Sequence, residues 1–414
     1  MVTVKPFKAL RPISELVDKC AALPYDVMSS KEAREMVKGN PYTFLRIDRA
    51  EVNLDENVDI YSSQVYNTAR NMLDKMEDEG VYINDYESRY YFYRQIMDGR
   101  GQTGIVGCAS IQDYLENRIK KHELTRADKE IDRINHVDTC SAHTGPIFLT
   151  YKDSQILDSI IKEQTKAEPL YDFVSEDGVR HTVWTTDGAE TDKAIENAFA
   201  GLEALYIADG HHRCASAVKV GVKRMEENPN HTGNEEYNFF LSVIFPSNTL
   251  KILDYNRLIK DLNGYSPAEL LQKIEEKVGE VSLIDGKEPY RPSELHTFGM
   301  YLEGKWYRVK FHDALCQAEK AVERLDCAIL QKNLLSPILG IEDPRSDKRI
   351  DFAGGIRGLK YLEQRCNEDM KLAISMYPTS LNELMAVADN GDIMPPKSTW
   401  FEPKLRSGIL IHKI

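Results

Sequence analysis

Two apolar runs separated by a polar turn and a helical stretch constrain this chain more than any other feature. LEALYIA at 202–208 reads as a strand, DGHHR at 209–213 as a polar turn, and CASAVKVGVKRM at 214–225 as a helix that opens with small residues. After a loop, NFFLSVIFP at 238–246 reads as a second apolar strand. This strand, turn, helix, strand unit places the chain in the mixed α/β (α+β) class. The surrounding segments agree. RYYFYRQIM and TGIVGCASI flank DGRGQ, and PLYDFVS and RHTVWTT flank EDG, as antiparallel hairpins do. GPIFLTY looks like another strand, while DYLENRIKKHE, RADKEIDRINH and DSQILDSIIKEQ have helical spacing, with Asp153 and Ser154 placed to cap the last.

At 414 residues the chain exceeds one simple core, and polar breaks fall at 228–236 and 285–294. We expect a phosphate-binding domain over 1–246, a small α+β module over 247–335, and a C-terminal segment, 336–414, that completes the site. The module contains SPAELLQKIEEKV, the hairpin HTFGMYLEGKWYRVKF and the helix ALCQAEKAVERLDCAILQ. The last segment contains RGLKYLEQR and SLNELMAVADNG as helices, KLAISMYP as a strand, a Pro-rich loop and a final strand, ILIH.

The turn carries the chemistry. Gly210 lets the backbone approach a ligand, the free N–H groups of the helix start face it, and the helix dipole favours an anion there. Arg213 adds a two-pronged donor that matches phosphate oxygens, and His211 and His212 add groups that donate hydrogen bonds or take up a proton. Asp209 is an acceptor among groups built for anions, suited to holding a magnesium ion that travels with phosphates or to receiving a substrate proton. Two other readings stay open: a helix start that merely caps itself, with Asp209 bridging to Arg213, and a zinc site using His211 and His212, which would need further ligands from elsewhere.

Two further segments supply candidates. In HELTRADKEIDRINH, Glu123 stands in the turn before a helix as a general base or metal ligand, with Lys129 or Arg133 reaching phosphate; a solvated ion-pair face is the plain alternative. His-Glu-x-x-His is absent, because position 126 is Arg126. In MPPKSTWFEPKLRSG, Lys397, Ser398 and Thr399 offer a second phosphate contact, with Trp400 and Phe401 able to cover an adenine; an ordinary surface loop is the alternative. ALPYDV and NPYTFLRIDR look like strand ends leading into turns, and Asp26 or Arg46 is placed to reach the same cleft.

The Asp Gly His His Arg turn after a strand resembles the signature loop of the ParB/sulfiredoxin superfamily, which includes free-serine kinases. Over its full length the chain is similar to the bacterial family known as domain of unknown function 1015, through ALPYDV at 22–27, HELT at 122–125, the loop, and PPKST at 395–399. Where sulfiredoxin carries its reactive cysteine this loop has His211, so thiol chemistry does not carry over. The resemblance implies a ParB/sulfiredoxin-like N-terminal unit with a mixed sheet, and a nucleotide-dependent phosphotransferase, most concretely a free-serine kinase using ATP or ADP with Mg2+. In that scheme Gly210 to Arg213 hold the phosphates, His211 assists in charge stabilisation, and Glu123 or Asp209 orients the hydroxyl. Phosphoserine hydrolysis, a ParB-like nucleotide-dependent DNA-binding switch, and a metabolite-binding protein without turnover are the alternatives.

Composition limits these. The net charge of −13 opposes nonspecific attraction to a polyanion, so nucleic acid is not an expected partner. Seven scattered cysteines without a Cys-x-x-Cys pair argue for free thiols. The absence of a long apolar run and of an apolar leader core in MVTVKPFKALRP points to the cytoplasm, with no membrane partner. The expected partner is a small phosphate or nucleotide ligand, with a homo-oligomer left open.

Overall fold

The computed structural model describes residues 1–286 and 288–414 and shows a mixed α/β fold. The chain divides into two compact units: residues 1–250 with 403–414, and residues 251–402. Of the break expected at 285–294, Lys287 lies outside the described residues.

Among the described residues, the first unit holds a nine-stranded sheet. Its strands are β1 (Val4–Lys5), β2 (Tyr91–Met97), β3 (Arg100–Ser110), β4 (Ile119–Lys120), β5 (Ile147–Tyr151), β6 (Tyr171–Val174), β7 (Arg180–Thr185), β8 (Leu205–Asp209) and β9 (Phe239–Pro246). Their spatial order is β4-β8-β5-β9-β3-β2-β7-β6, with β1 against β3. Only β4 with β8 and β5 with β9 run parallel. Both expected hairpins form. β2 and β3 meet from Tyr91 opposite Val106 to Met97 opposite Arg100, across a two-residue turn in which Asp98 and Gly99 both take positive φ (51° and 77°). β5, β8 and β9 bury nearly all their residues, which explains their unbroken apolar runs.

Three helices position the site: α1 (Ser63–Asp78), α2 (Ala127–Cys140) and α3 (His211–Glu227). α3 links β8 to β9, and its small residues let it sit close to its neighbours. A Cβ at Gly221 would stand 2.4 Å from the Tyr237 carbonyl oxygen and 2.8 Å from Ile111 Cδ1. α2 packs on α3 and on α1, with Tyr66 Oη donating to Asp132 Oδ1 at 3.0 Å. A separate four-stranded sheet (Tyr82–Asn84, Ala9–Pro12, Ile411–Lys413, Ala142–His143) ties residues near both termini into this unit.

The second unit has a six-stranded antiparallel sheet in the order Gly279–Leu283, Lys305–Phe311, Thr297–Leu302, Leu372–Ser375, Tyr255–Ile259, Ile350–Gly354. Its capping boxes, Ser266 with Glu269 and Ser380 with Glu383, start helices where the sequence places them.

The structure departs from the sequence reading at several points. The unit boundary falls after 250. Tyr255–Ile259 pairs with both Ile350–Gly354 and Leu372–Ser375, so one sheet takes strands from either side of position 335, and residues 403–414 join the first unit. DYLENRIKKHE is not one helix. A short helix, Ile111–Leu115, stops where Asn117 turns to φ 59°, and Ile119–Lys120 then pairs with β8. ALCQAEKAVERLDCAILQ is likewise broken, into helical pieces at Asp313–Cys316, Ala321–Arg324 and Asp326–Leu330, where tertiary packing overrides helix propensity. ALPYDV and NPYTFLRIDR form short helical turns, Tyr25–Val27 and Leu45–Asp48.

The fit of α3 gives a direct test. Gly221→Ala should lower the unfolding free energy by about 1–3 kcal/mol, because the Tyr237 carbonyl is backbone and cannot swing aside. Urea unfolding followed by circular dichroism would read this as a lower midpoint, and an unchanged midpoint would mean the segment before β9 yields freely.

Candidate phosphate-binding site

β8 delivers Asp209 to the edge of the site, and Gly210 turns the chain with φ 88° and ψ 33°, a left-handed conformation that glycine adopts without strain. A Cβ at Gly210 would also press on the Arg213 guanidinium at 3.1 Å. α3 then starts without a side-chain cap. Its first helical bond runs from the Cys214 N–H to the Gly210 carbonyl, so the N–H groups of His211, His212 and Arg213 precede any intrahelical acceptor. The result is an uncapped positive helix end.

Arg213 is nine-tenths buried and fixed on two sides. Nη1 donates to the Pro146 carbonyl at 2.6 Å and Nη2 to Asp209 Oδ2 at 3.1 Å, while Nε is buried with no hydrogen-bond partner. Asp209 Oδ1 also meets Lys404 Nζ at 3.5 Å. Burial pushes the Asp209 carboxyl up, but Lys404, Arg213 and the Gly210 N–H outweigh it and hold it below the usual carboxylate range. Burial opposes the charge of Arg213, yet Asp26 and Asp209 together raise it.

The two histidines are held as neutral acceptors. His211 is buried, its ring edge-on to that of His122 at 4.4 Å, and its Nε2 accepts from the His122 backbone N–H at 3.5 Å. Burial, then His122 and His212, push His211 well below the ordinary histidine range. His212 Nε2 accepts from the Arg126 N–H at 3.0 Å, so this ring ties the turn before α2 to the start of α3. Glu123 lies in that turn, nearly half exposed, with Oε2 3.8 Å from His211 Nδ1. Glu123, Asp209, His211, His212 and Arg213 therefore gather around one helix end within one unit.

Other candidates separate from this group. Lys397, Ser398 and Thr399 belong to the second unit: Lys397 lies over the Tyr255 ring, and Ser398 bonds to the Pro395 carbonyl and lies 3.1 Å from Cys327 Sγ. Trp400 stands edge-on to Tyr255. The same Pro-rich stretch nevertheless supplies Lys404 to Asp209. Arg46 is committed to the Asn40 and Val37 carbonyls and Asn53, whereas Asp26 acts on both His212 and Arg213. Lys129 turns to Tyr61, and Arg133 pairs with Asp132 beneath the Tyr25 ring. Among the described residues no group of three His, Cys, Asp or Glu is placed to hold a metal ion. All seven cysteines are free.

The sequence reading did not single out Tyr25, Asp48, His143 or Thr144. These line a cavity with Arg133 and Arg213. Asp48, His143 and Thr144 stand in no motif and in no apolar run that would have marked them.

Residues 4–328 match the family described as "Protein of unknown function (DUF1015)". The chain belongs to this family. No curated protein matches it significantly. Among solved structures it is similar to a free serine kinase in complex with AMP (15% identity, TM-score 0.36, covering 71% of this chain and 89% of that one). It is also similar to a C-terminally truncated SbnI from Staphylococcus aureus (11%, 0.38, 72% and 82%) and to a conserved hypothetical protein from Pyrococcus furiosus (16%, 0.35, 71% and 91%). Among the described residues of this DUF1015 protein no helix is long and apolar enough to cross a membrane.

The neutral histidines set a pH signature. Burial lowers His122 from 6.5 to about 4, and burial followed by His122 and His212 lowers His211 well below the ordinary histidine range. The unfolded chain therefore binds protons near pH 6.5 that the folded site refuses, so the stability these rings contribute is present above about pH 6.5 and is lost as pH falls toward about 4. His136, His143 and His181 act in the same sense. Denaturant unfolding at a series of pH values should show stability falling on acidification, and His211→Asn should reduce the proton uptake by about one.

Proposed function

We propose that this DUF1015 protein binds a phosphate-bearing ligand on the start of α3 and acts as a phosphotransferase on a small hydroxylated metabolite. The observation that carries this reading is the uncapped helix end at His211–Arg213, beside an Arg213 that is nine-tenths buried and keeps an unpartnered Nε. Three backbone N–H groups, a guanidinium and the nearby Lys404 form a cationic cradle suited to phosphate oxygens, which the single carboxylate of Asp209 only partly neutralises. A nucleoside di- or triphosphate is the natural donor, and free serine is the acceptor that the loop's resemblance suggests.

Within this reading the residues divide their work. Gly210 allows the close backbone approach, Arg213 and Lys404 neutralise charge as a phosphoryl group moves, and His212 keeps the α2 turn against the cradle. Glu123, the half-exposed carboxylate in the turn before α2, orients the attacking hydroxyl and takes its proton, with His211 steering the carboxylate. Asp209 holds the two cations in place. Its oxygens face Arg213 and Lys404, and among the described residues no group of three His, Cys, Asp or Glu is placed to hold a metal ion, so a Mg2+ ion would come with the phosphates of the nucleotide.

Thermal melting of the full chain against ATP, ADP, CTP, phosphoserine and serine tests the site. A ligand specific to the folded state must raise the midpoint. ATP or ADP should do so, Arg213→Ala should abolish the shift, and Glu123→Gln should keep the shift while lowering turnover about 10²- to 10⁴-fold. Phosphate released only to water would replace the kinase by a hydrolase, and no shift with any phosphate compound would remove the reading.

A further inference from the structure

Lys404 is the second residue of the segment 403–414, which belongs to the first unit, and its Nζ lies 3.5 Å from Asp209 Oδ1. A lysine ammonium rides on a flexible four-carbon stem, so the place where it neutralises charge depends on how its backbone is held. Here the backbone of the strap 404–407 is held at three points.

The first is Gln95 on β2, fully buried, whose Nε2 donates to the Lys404 carbonyl at 2.9 Å. A carbonyl only accepts, so the amide nitrogen of Gln95 faces Lys404 and its Oε1 faces away. Gln102 stands opposite Gln95 on β3, also buried, and donates to that Oε1 from its Nε2 at 3.2 Å. Arg100 Nη1 in turn donates to Gln102 Oε1 at 3.4 Å. Buried amides are unfavourable unless bonded, and this cross-strand pair meets its needs through the strap, which ties the sheet to one backbone carbonyl.

The second point is Arg406. Buried itself, it donates through Nη2 to Asp177 and, at 3.2 Å, to Ser175 Oγ in the turn between β6 and β7. The third is Ser407, whose backbone N–H and carbonyl pair with Ala22 at 2.9 and 3.1 Å. A Cβ at Gly145 would stand 2.9 Å from Ser407 Oγ and 3.7 Å from Arg213 Nη1, so the strap runs beside the guanidinium of the cradle.

We propose that Gln95 and Arg406 are positioning residues of the phosphate cradle, fixing the strap so that the Lys404 ammonium stands beside Asp209 before any phosphate arrives. The inference rests on the phosphate-binding reading and goes beyond it by assigning a role to two side chains that touch no ligand. An ammonium on a loose backbone must lose that freedom each time an anion binds, whereas one held in advance does not. A purely structural role would act without regard to Lys404. A positioning role acts only through that ammonium, and a double-mutant cycle separates the two.

Calorimetric titration of the full chain with ADP supplies the cycle. Lys404→Ala should weaken ADP binding about tenfold, as loss of one charged contact would, and Gln95→Met, close in size but without the amide, about fivefold. In the Lys404→Ala background, Gln95→Met should weaken it no further. Carbon NMR should also show the Asp209 carboxyl titrating higher in Gln95→Met, because burial pushes it up and Lys404 is foremost among the groups that hold it down. Should Gln95→Met not fold, Asp177→Asn, a change at a half-exposed carboxylate, releases Arg406 and should show the same dependence on Lys404. Equal losses of affinity with and without Lys404 would overturn the proposal. So would an ADP affinity that Lys404→Ala, or both Gln95→Met and Asp177→Asn, leave unchanged. If ADP still binds in those cases and Arg213→Ala abolishes it, the cradle stands and only the positioning role falls; if no phosphate compound binds the unaltered chain, the phosphate reading fails and this inference with it.

Discussion

The charge cluster of Asp209, Arg213 and Lys404 is the constraint on which the site depends. A guanidinium buried at a positive helix end is unfavourable twice over, through lost hydration and through the helix dipole. Asp209, one residue upstream of the Gly210 turn, answers both by reaching Arg213 at 3.1 Å. The left-handed Gly210 makes this reach available, since a side chain there would crowd the same guanidinium. Arg213 is nine-tenths buried while Asp209 is one-third exposed, so removing Asp209 would leave the guanidinium largely uncompensated, with water softening the loss on the carboxylate side. The cluster therefore acts as a unit, and an incoming anion would relieve the positive end that Asp209 only partly neutralises.

The histidines follow from the same constraint. With Arg213 and Lys404 already present, further positive charge would be unfavourable, and burial keeps His122 and His211 neutral. Neutral rings are acceptors as well as donors, and the fold uses them so: His211 and His212 each receive a backbone N–H from the segment before α2. This couples HELT to DGHHR, two stretches separated by more than eighty residues, through ring nitrogens and not through an ion-pair face. Position 211 therefore serves packing and orientation at least as much as contact with a ligand.

Local segments were legible in the sequence to the extent that their stability is local. β2 with β3 and β6 with β7 form where turn residues and apolar runs place them, and Ser154, Ser266 and Ser380 cap helices as their side chains require. The failures share a cause. DYLENRIKKHE has good helix formers, but Ile119 is worth more against Leu205 of β8 than in another turn of helix, and nothing nearby in sequence announces that partner. α1 carries a legible signal of its own, since its buried Val65, Tyr66, Ala69, Leu73 and Met76 recur at helical spacing among polar residues, yet it is not among the helices read from the sequence. At the site, the turn itself was readable. Lys404 stands in the Pro-rich loop whose candidate phosphate contacts, Lys397 to Thr399, belong to the second unit.

The cavity residues illustrate a deeper limit. Asp48, His143 and Thr144 carry no motif and stand in stretches that read as ordinary turns and strands, yet each is buried and each lines the same small cavity as Arg213. Burying polar side chains without complete pairing is unfavourable by roughly 1–3 kcal/mol for each unmet group. Neighbouring groups offset that cost where they can, as Thr144 does for Asp48 and His412 does for one edge of His143. What stays unmet, Arg213 Nε and His143 Nε2, marks where the fold's own hydrogen bonding stops. A guanidinium Nε–H left open beside a helix end left uncapped points to an anion more specifically than either feature does alone.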